Sequence, residues 1–320
     1  MFMFASLIGL IAAGGLLMTD QDDGQQDASN DEDASGTTPD SSPEPEIAPL
    51  DEFLSSVESE ILLGTPADED LLGGDGNDQI NGAEGNDNID GGTGDDGLYG
   101  SEGADTLSGG AGQDLLHGED EADLLDGGEG DDTLFGHFGN DLLIGGAGND
   151  MAHGGQGDDS LFGSAGQDAL HGNDGNDALS GGVGEDALFG GRGDDLVSGD
   201  DDSESDFLNG GDGADTLLAG TGDILHGGAG ADQMVLPTET IDPVEISDFD
   251  PAEDMLVLPW DVTEDEDPDI GISTAPDGSG DTLVSVEGTL AARLTNGAAI
   301  TAENILLMSD TQIAAFAPSP

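Results

Sequence analysis

From Gly73 to Ser198 the chain consists of 14 consecutive nonapeptides with no insertion. A period that strict over so long a stretch demands an architecture that repeats with it. The first unit reads G-G-D-G-N-D-Q-I-N (Gly73 to Asn81), the seventh G-G-E-G-D-D-T-L-F (Gly127 to Phe135) and the ninth G-G-A-G-N-D-M-A-H (Gly145 to His153). Position one is Gly and position six is Asp in all 14. Position four is Gly except at Glu121, and position eight is Ile, Leu or Val except at Ala152. Gly64 to Leu72 is a degenerate upstream copy, read as a capping turn. Beyond Ser198 the phase is strained but recovers: Gly199 to Asn209 is two residues long, Gly210 to Leu218 is regular, Ala219 to His226 is one short, and Gly227 to Val235 closes the series. A disordered Gly/Asp tract held soluble by charge would not keep Gly, Asp and a large aliphatic in fixed phase over this length.

Composition sets what the repeat must contend with. There are 73 Asp plus Glu against 2 Lys plus Arg, a formal net charge of -71. Phosphate binding takes clustered Lys and Arg, so nucleic acid is excluded as a partner. Cys is absent, which removes disulfides and thiolate metal sites, and the 5 His never form H-E-x-x-H. With 56 Gly and 4% aromatic residues, little side chain is left for an ordinary core. Residues 64 to 235 carry 41 Asp plus Glu against Arg192 alone. Such a block repels itself at neutral pH, so something cationic must complete its fold.

The run resembles the calcium-binding nonapeptide repeats of the RTX (haemolysin-type) family, whose signature is G-G-x-G-x-D-x-U-x with U a large apolar residue. That resemblance implies an all-β fold, a parallel β-roll solenoid in which six residues make a turn, three make a short strand, and two repeats complete one coil. It also implies Ca²⁺ as a multiple cofactor. The chemistry agrees: Gly-rich turns can aim carbonyl oxygens inward, and Ca²⁺ takes a shell of six to eight oxygens. The candidate ligands are Asp78, Asp87, Asp96, Asp105, Asp114, Asp123, Asp132, Asp141, Asp150, Asp159, Asp168, Asp177, Asp186, Asp195, Asp206, Asp215, Asp223 and Asp232, together with turn carbonyls. Stacking of alternate repeats would let Asp78 share an ion with Asp96 and Asp87 with Asp105, in two rows holding up to about a dozen ions. Position-eight side chains should form a core one residue wide.

Outward residues two repeats apart should stack along the roll. Position nine on one side reads Tyr99, His117, Phe135, His153, His171 and Phe189, whereas the other side reads Asp90, Ser108, Asp126, Ile144, Phe162, Ser180 and Ser198. The aromatic strip reads either as a docking face, for a partner roll or for glycan rings, or as a ladder of good strand formers supporting one another. The pair His153 and His171 offers two ligands to a transition metal, with no third in view.

Four regions follow. Residues 1–18 hold an uncharged apolar run, Phe2 to Met18, readable as a membrane anchor, a signal or a buried helix. Residues 19–58 are an acidic, Pro-containing linker expected to be disordered. Residues 59–235 are the β-roll. Residues 236–320 form a C-terminal β cap, with strands expected at Met255 to Leu258, Asp281 to Val286 and Thr289 to Leu294. The stretch V-E-I-S-D-F-D-P-A-E-D-M-L-V-L (Val244 to Leu258) is similar to the segment following the repeats of serralysin-type proteins, which implies capping and a C-terminal type I export signal. No catalytic constellation emerges, so the chain is not expected to be an enzyme. The expectation is a secreted or surface-held calcium-binding protein with a structural, adhesive or matrix role; the alternative is a carbohydrate-active or lytic protein acting through the C-terminal segment.

Overall fold

The computed structural model describes residues 59–199, 204–237, 242–260, 268–295 and 299–313. The apolar run Phe2 to Met18 and the acidic linker, residues 19–58, lie outside them.

Each nonapeptide of the regular array supplies one strand, and the chain alternates between two parallel sheets as it advances. Strands β1 (Ile61–Leu63), β3 (Gln79–Glu84) and β5 (Gly97–Glu102) are consecutive neighbours in one sheet, and β2 (Asp70–Asp75), β4 (Asn88–Thr93) and β6 (Thr106–Ala111) in the other. Gln79 pairs with Gly97, Ile80 with Leu98 and Asn81 with Tyr99, so the register is one coil of 18 residues. A parallel β-roll results.

Strands are longer than the family pattern implies. Gln79–Glu84 is 6 residues and leaves a three-residue turn, the reverse of the expected proportion. The ladder runs through positions seven to nine, skips the position-one glycine and resumes at positions two and three, as where Leu142, Leu143, Ile144, Gly146 and Ala147 pair with Ser160, Leu161, Phe162, Ser164 and Ala165. Glycine at position two permits this, because its positive φ bends the chain while its backbone still meets the neighbouring coil.

Side chains alternate across each strand. Position eight points inward, and Ile80, Ile89, Leu98, Leu107 and their successors to Val197 are fully buried, Ala152 among them. The core is a single file of aliphatics between the two sheets, continuous into the C-terminal region through Val244, Ile246, Leu256 and Leu294.

That region continues both sheets rather than packing on them as a separate unit. Val244–Ile246 pairs in parallel with Ile224–Ala229, and Thr289–Leu294 pairs in parallel with Val244–Ile246. Thr282–Val286 and Ile270–Thr274 then add antiparallel strands. On the other sheet Met255–Pro259 and Ile305–Met308 extend the parallel series. The switch to antiparallel pairing ends the solenoid with ordinary hairpin strands in place of another open coil. Arg293 holds this end together: its guanidinium binds Asp281 at 2.6 Å and Asp277 at 2.8 Å. Hydrogen bonds from Ser279, and then the one from Arg293, hold the Asp277 carboxyl down to about 2. Among the described residues no helix is long and apolar enough to cross a membrane.

Candidate metal-binding ladder

The position-six aspartates follow each strand's entry turn and point between coils. All 18 sequence candidates are buried, from Asp223 at 0% exposure to Asp96 and Asp123 at 4%. They form two rows. In one, the backbone N–H of Asp78 donates to Asp96 Oδ1 at 2.7 Å and that of Asp96 to Asp114 Oδ1 at 2.8 Å, a chain continuing to Asp223. In the other, Asp87 donates to Asp105, Asp105 to Asp123, Asp123 to Asp141 and Asp141 to Asp159, each at 2.8 Å. Asp78 is thus hydrogen-bonded to Asp96, and Asp87 to Asp105, across one coil. Each aspartate also accepts through its main-chain carbonyl, as Asp78 does from the Gly97 N–H at 2.8 Å.

One carboxylate oxygen is thus committed to the neighbouring coil; the other is not. Oδ2 of every position-six aspartate from Asp78 to Asp177, and of Asp195, Asp215 and Asp232, is buried without a hydrogen-bond partner. A buried anionic oxygen left unpaired is strongly unfavourable, and a row of them more so. At Gly136 an added Cβ would land on Asp141 Oδ2 and close to the Gly154 carbonyl oxygen, so the position-one glycine leaves room where a carboxylate oxygen and a carbonyl oxygen of the next coil converge. Hard oxygen donors, buried, converging and lacking a proton donor fit Ca²⁺. When bound, the ion supplies the positive charge that these oxygens lack.

Burial raises these carboxyls: Asp123, Asp159, Asp168, Asp195 and Asp215 to about 7, and Asp105, Asp114, Asp150, Asp177 and Asp232 to about 6. Desolvation dominates in each case, and nearby carboxylates, within the row and beside it, add to it.

The ladder reaches beyond the sequence candidates at both ends. Glu60 and Glu69 donate their N–H groups to Asp78 and Asp87, which places them at position six of the entry coils. At the other end Asp232 donates to Asp254 Oδ1 at 3.1 Å, and Asp254 is buried. Asp254 follows Asp232 by 22 residues, so a search in steps of nine passes over it; D-M-L-V-L (Asp254 to Leu258) nonetheless keeps an Asp two residues before an inward aliphatic. Asp223 departs from the pattern, since its Oδ2 accepts from the Gly220 N–H at 2.6 Å.

The aromatic strip is a real stack. Tyr99, His117, Phe135, His153, His171 and Phe189 follow one another with ring centroids 4.7 to 5.1 Å apart and nearly parallel planes. Phe207 continues it with a tilt of 50°. His153 and His171 stack at 4.8 Å, but among the described residues the three-ligand group lies elsewhere, at His117, Glu119 and His137. At the end of the roll, His226 meets Ser247 Oγ at 2.9 Å and Asp248 Oδ2 at 3.3 Å. Asp248 also accepts from the N–H groups of Gly227 and Gly228, so these side chains join the last coil to the cap.

Fold and ladder together define a parallel β-solenoid whose turns are lined by carboxylates suited to a hard cation. The family model described as RTX calcium-binding nonapeptide repeat (4 copies) matches residues 63–98, 99–134, 117–152, 135–170, 153–188, 171–203 and 200–223, and the chain belongs to that family. It is a calcium-binding RTX β-roll protein. Among solved structures it is similar to the AlgE6R3 subunit of the Azotobacter vinelandii mannuronan C5-epimerase, with 26% identity over 52% of this chain and 80% of that one and a TM-score of 0.24. It is also similar to the extracellular lipase LipA of Serratia marcescens, with 18% identity, 66% of this chain and 41% of that one covered, and a TM-score of 0.24. No curated protein matches the chain.

Proposed function

We propose that the chain is a non-catalytic, extracellular structural or adhesive module whose roll is completed by calcium ions seated along the two rows of position-six aspartates. RTX repeat proteins are typically secreted, and a chain that folds only on meeting calcium outside the cell can be exported unfolded. The row of buried, unpartnered Oδ2 atoms carries this reading.

Comparing Asp141→Ala with Asp248→Ala tests it. Asp141 sits mid-array between Asp123 and Asp159 and faces both neighbouring coils, so its loss removes ligands from two adjacent ions. Asp248 binds glycine amides and His226 outside the rows. The midpoint of calcium-induced folding is expected to move to higher calcium for Asp141→Ala, with a smaller shift for Asp248→Ala. Equal midpoints would remove the assignment. A release assay on polysaccharide and on red cells, with and without calcium, tests the absence of catalysis; calcium-dependent release would sink that part.

The adhesive role is assigned to the aromatic strip. Its rings are only partly exposed because each covers the next. Replacing Tyr99, Phe135 and Phe189 with Ser leaves the ladder and the core untouched. Stability is expected to fall by about 0.2 to 1 kcal/mol per lost cross-strand contact. Self-association or glycan retention should fall with it at an unchanged calcium midpoint, as read by sedimentation and affinity retention in saturating calcium. A variant matching the native chain in both leaves the strip as strand support alone.

A further inference from the structure

On the outer face of the roll, away from the aspartate rows, three side chains of two neighbouring strands converge. His117 and Glu119 lie two apart on Leu115–Asp120 and share a face. His137, on Thr133–Phe138, stands opposite Glu119 in the ladder. His117 Nδ1 lies 2.8 Å from His137 Nε2, and His137 Nε2 lies 3.8 Å from a Glu119 carboxylate oxygen. One ligand atom from each residue falls within 4.8 Å of the other two. We propose that His117, Glu119 and His137 form a binding site for a borderline divalent transition metal of the zinc type, separate in place and chemistry from the calcium ladder.

The donor set selects the metal. Two imidazole nitrogens and one carboxylate are the ligands of a Zn²⁺ site with one coordination position open, whereas Ca²⁺ takes oxygen alone. Seating an ion at about 2.0 to 2.1 Å from each nitrogen needs the two rings to part by a few tenths of an ångström. Both strands present these rings at the surface: the side chains of His137 and Glu119 are 34% and 44% exposed, which gives a metal entry and leaves the open position to water. Phe135, stacked on both His117 and His137, forms an apolar wall beside them.

The backbone supplies an independent indication. Glu119 and His137 both occupy position two of their repeats, where φ is +86° and +77°. That is the left-handed region in which most repeats of this array place Gly, and the other exceptions are the smaller Ala83, Ser101, Ser164 and Asn173. The two bulkiest side chains at this strained position are thus the two that meet His117. Strain retained by residues that converge on a common point is the pattern of a functional site. The diagonal that joins position nine to position two of the next coil recurs as a direct bond between Asn81 and Ser101, so the geometry belongs to the fold and only the residue types are special.

The test is a Zn²⁺ titration of the full chain in saturating calcium, which folds the roll and blocks the oxygen sites, read by calorimetry and by the histidine ring resonances. One equivalent is expected, with the His117 and His137 rings shifted. His137→Gly and Glu119→Gly restore the glycine that the backbone favours, so both variants should fold, as circular dichroism will verify. Each should weaken Zn²⁺ by more than the about 10- to 100-fold typical of losing a mere supporting group. His171→Ser, in the same stack without a third ligand, should bind like the native chain. Absence of zinc binding by the native protein, affinity unchanged in His137→Gly, or an equal loss in His171→Ser would each overturn the proposal.

Discussion

Chelating calcium at neutral pH is expected to turn the far-ultraviolet circular dichroism of the protein from strand to coil, and restoring it should refold the roll cooperatively with a midpoint in the range of about 0.1 to 1 mM. The magnitudes support a transition of the whole roll rather than a local one. Without the ion the folded state holds two rows of buried carboxylates with unpartnered oxygens, set in a block whose formal charge is close to -40 (41 acidic residues against one Arg). Opposing that is a core a single residue wide. Each site at tenfold excess over its dissociation constant adds about 1.4 kcal/mol. About a dozen such sites therefore exceed the roughly 5 to 15 kcal/mol by which folded domains are stable. Mg²⁺ should substitute poorly, because its small octahedral shell gives up water reluctantly. An unchanged spectrum on chelation would sink this account.

Acid should partly replace the metal. The folded carboxyls of Asp123, Asp159 and Asp168 titrate near 7, above the ordinary aspartate value of 3.8, so the folded chain binds more protons than the unfolded one between about pH 4 and 7. Raised acid groups of this kind destabilise the metal-free fold progressively as pH climbs through that window, and relieve it as pH falls. Chelated protein is therefore expected to regain strand signal between pH 7 and 5, while the calcium midpoint of the loaded protein moves to higher calcium as protons compete for the same oxygens. Metal-free protein that gains no strand signal on acidification would contradict the burial assigned to these side chains.

The array was legible in the sequence because every coil obeys one rule. Asp78 to Asp195 fall at a fixed step, their inward aliphatics two residues later, and both the two-row arrangement and the aromatic stack follow from phase alone. What escaped were features that break phase or cross it. Asp254 lies 22 residues after its partner because the loop before it has lengthened, and the coil closes through spatial rather than sequential regularity. His137 meets His117 across a diagonal of 20 residues, one coil plus two positions, invisible to a search that compares like positions only. The strands Val244–Ile246, Ile270–Thr274 and Ile305–Met308 were missed because short apolar runs take their pairing from the end of the roll, not from a periodicity of their own. The role of the position-one glycine is likewise set by the neighbouring coil, since Gly136 is fixed by what a side chain there would strike rather than by its backbone angle.

The largest effect of a single methyl group is expected at position four. An alanine Cβ at Gly157 would fall inside the Gly139 carbonyl oxygen of the preceding coil, with the Gly139 carbonyl carbon behind it, and the residue has φ of +128°. No side-chain rotation relieves a clash with main chain, so the two coils must part or the turn must change shape. Glu121 shows the second route, carrying a side chain at position four with φ reduced to +73° and its carboxylate accepting from the Gly103 N–H at 3.0 Å. Alanine has no such hydrogen bond to offset the change. Gly157→Ala should therefore lose about 1 to 3 kcal/mol to backbone strain and about 1 to 3 kcal/mol more to overpacking. Gly97→Ala is the matched comparison. Its added Cβ would find nothing nearer than Tyr99 Cε2 at 3.8 Å, with φ outside the left-handed region, so it should be neutral or stabilising by about 0.4 to 1 kcal/mol through the unfolded chain. Urea midpoints in saturating calcium would separate the two by several kcal/mol. Similar midpoints for both variants would mean that the coils are spaced more loosely than the turn geometry requires.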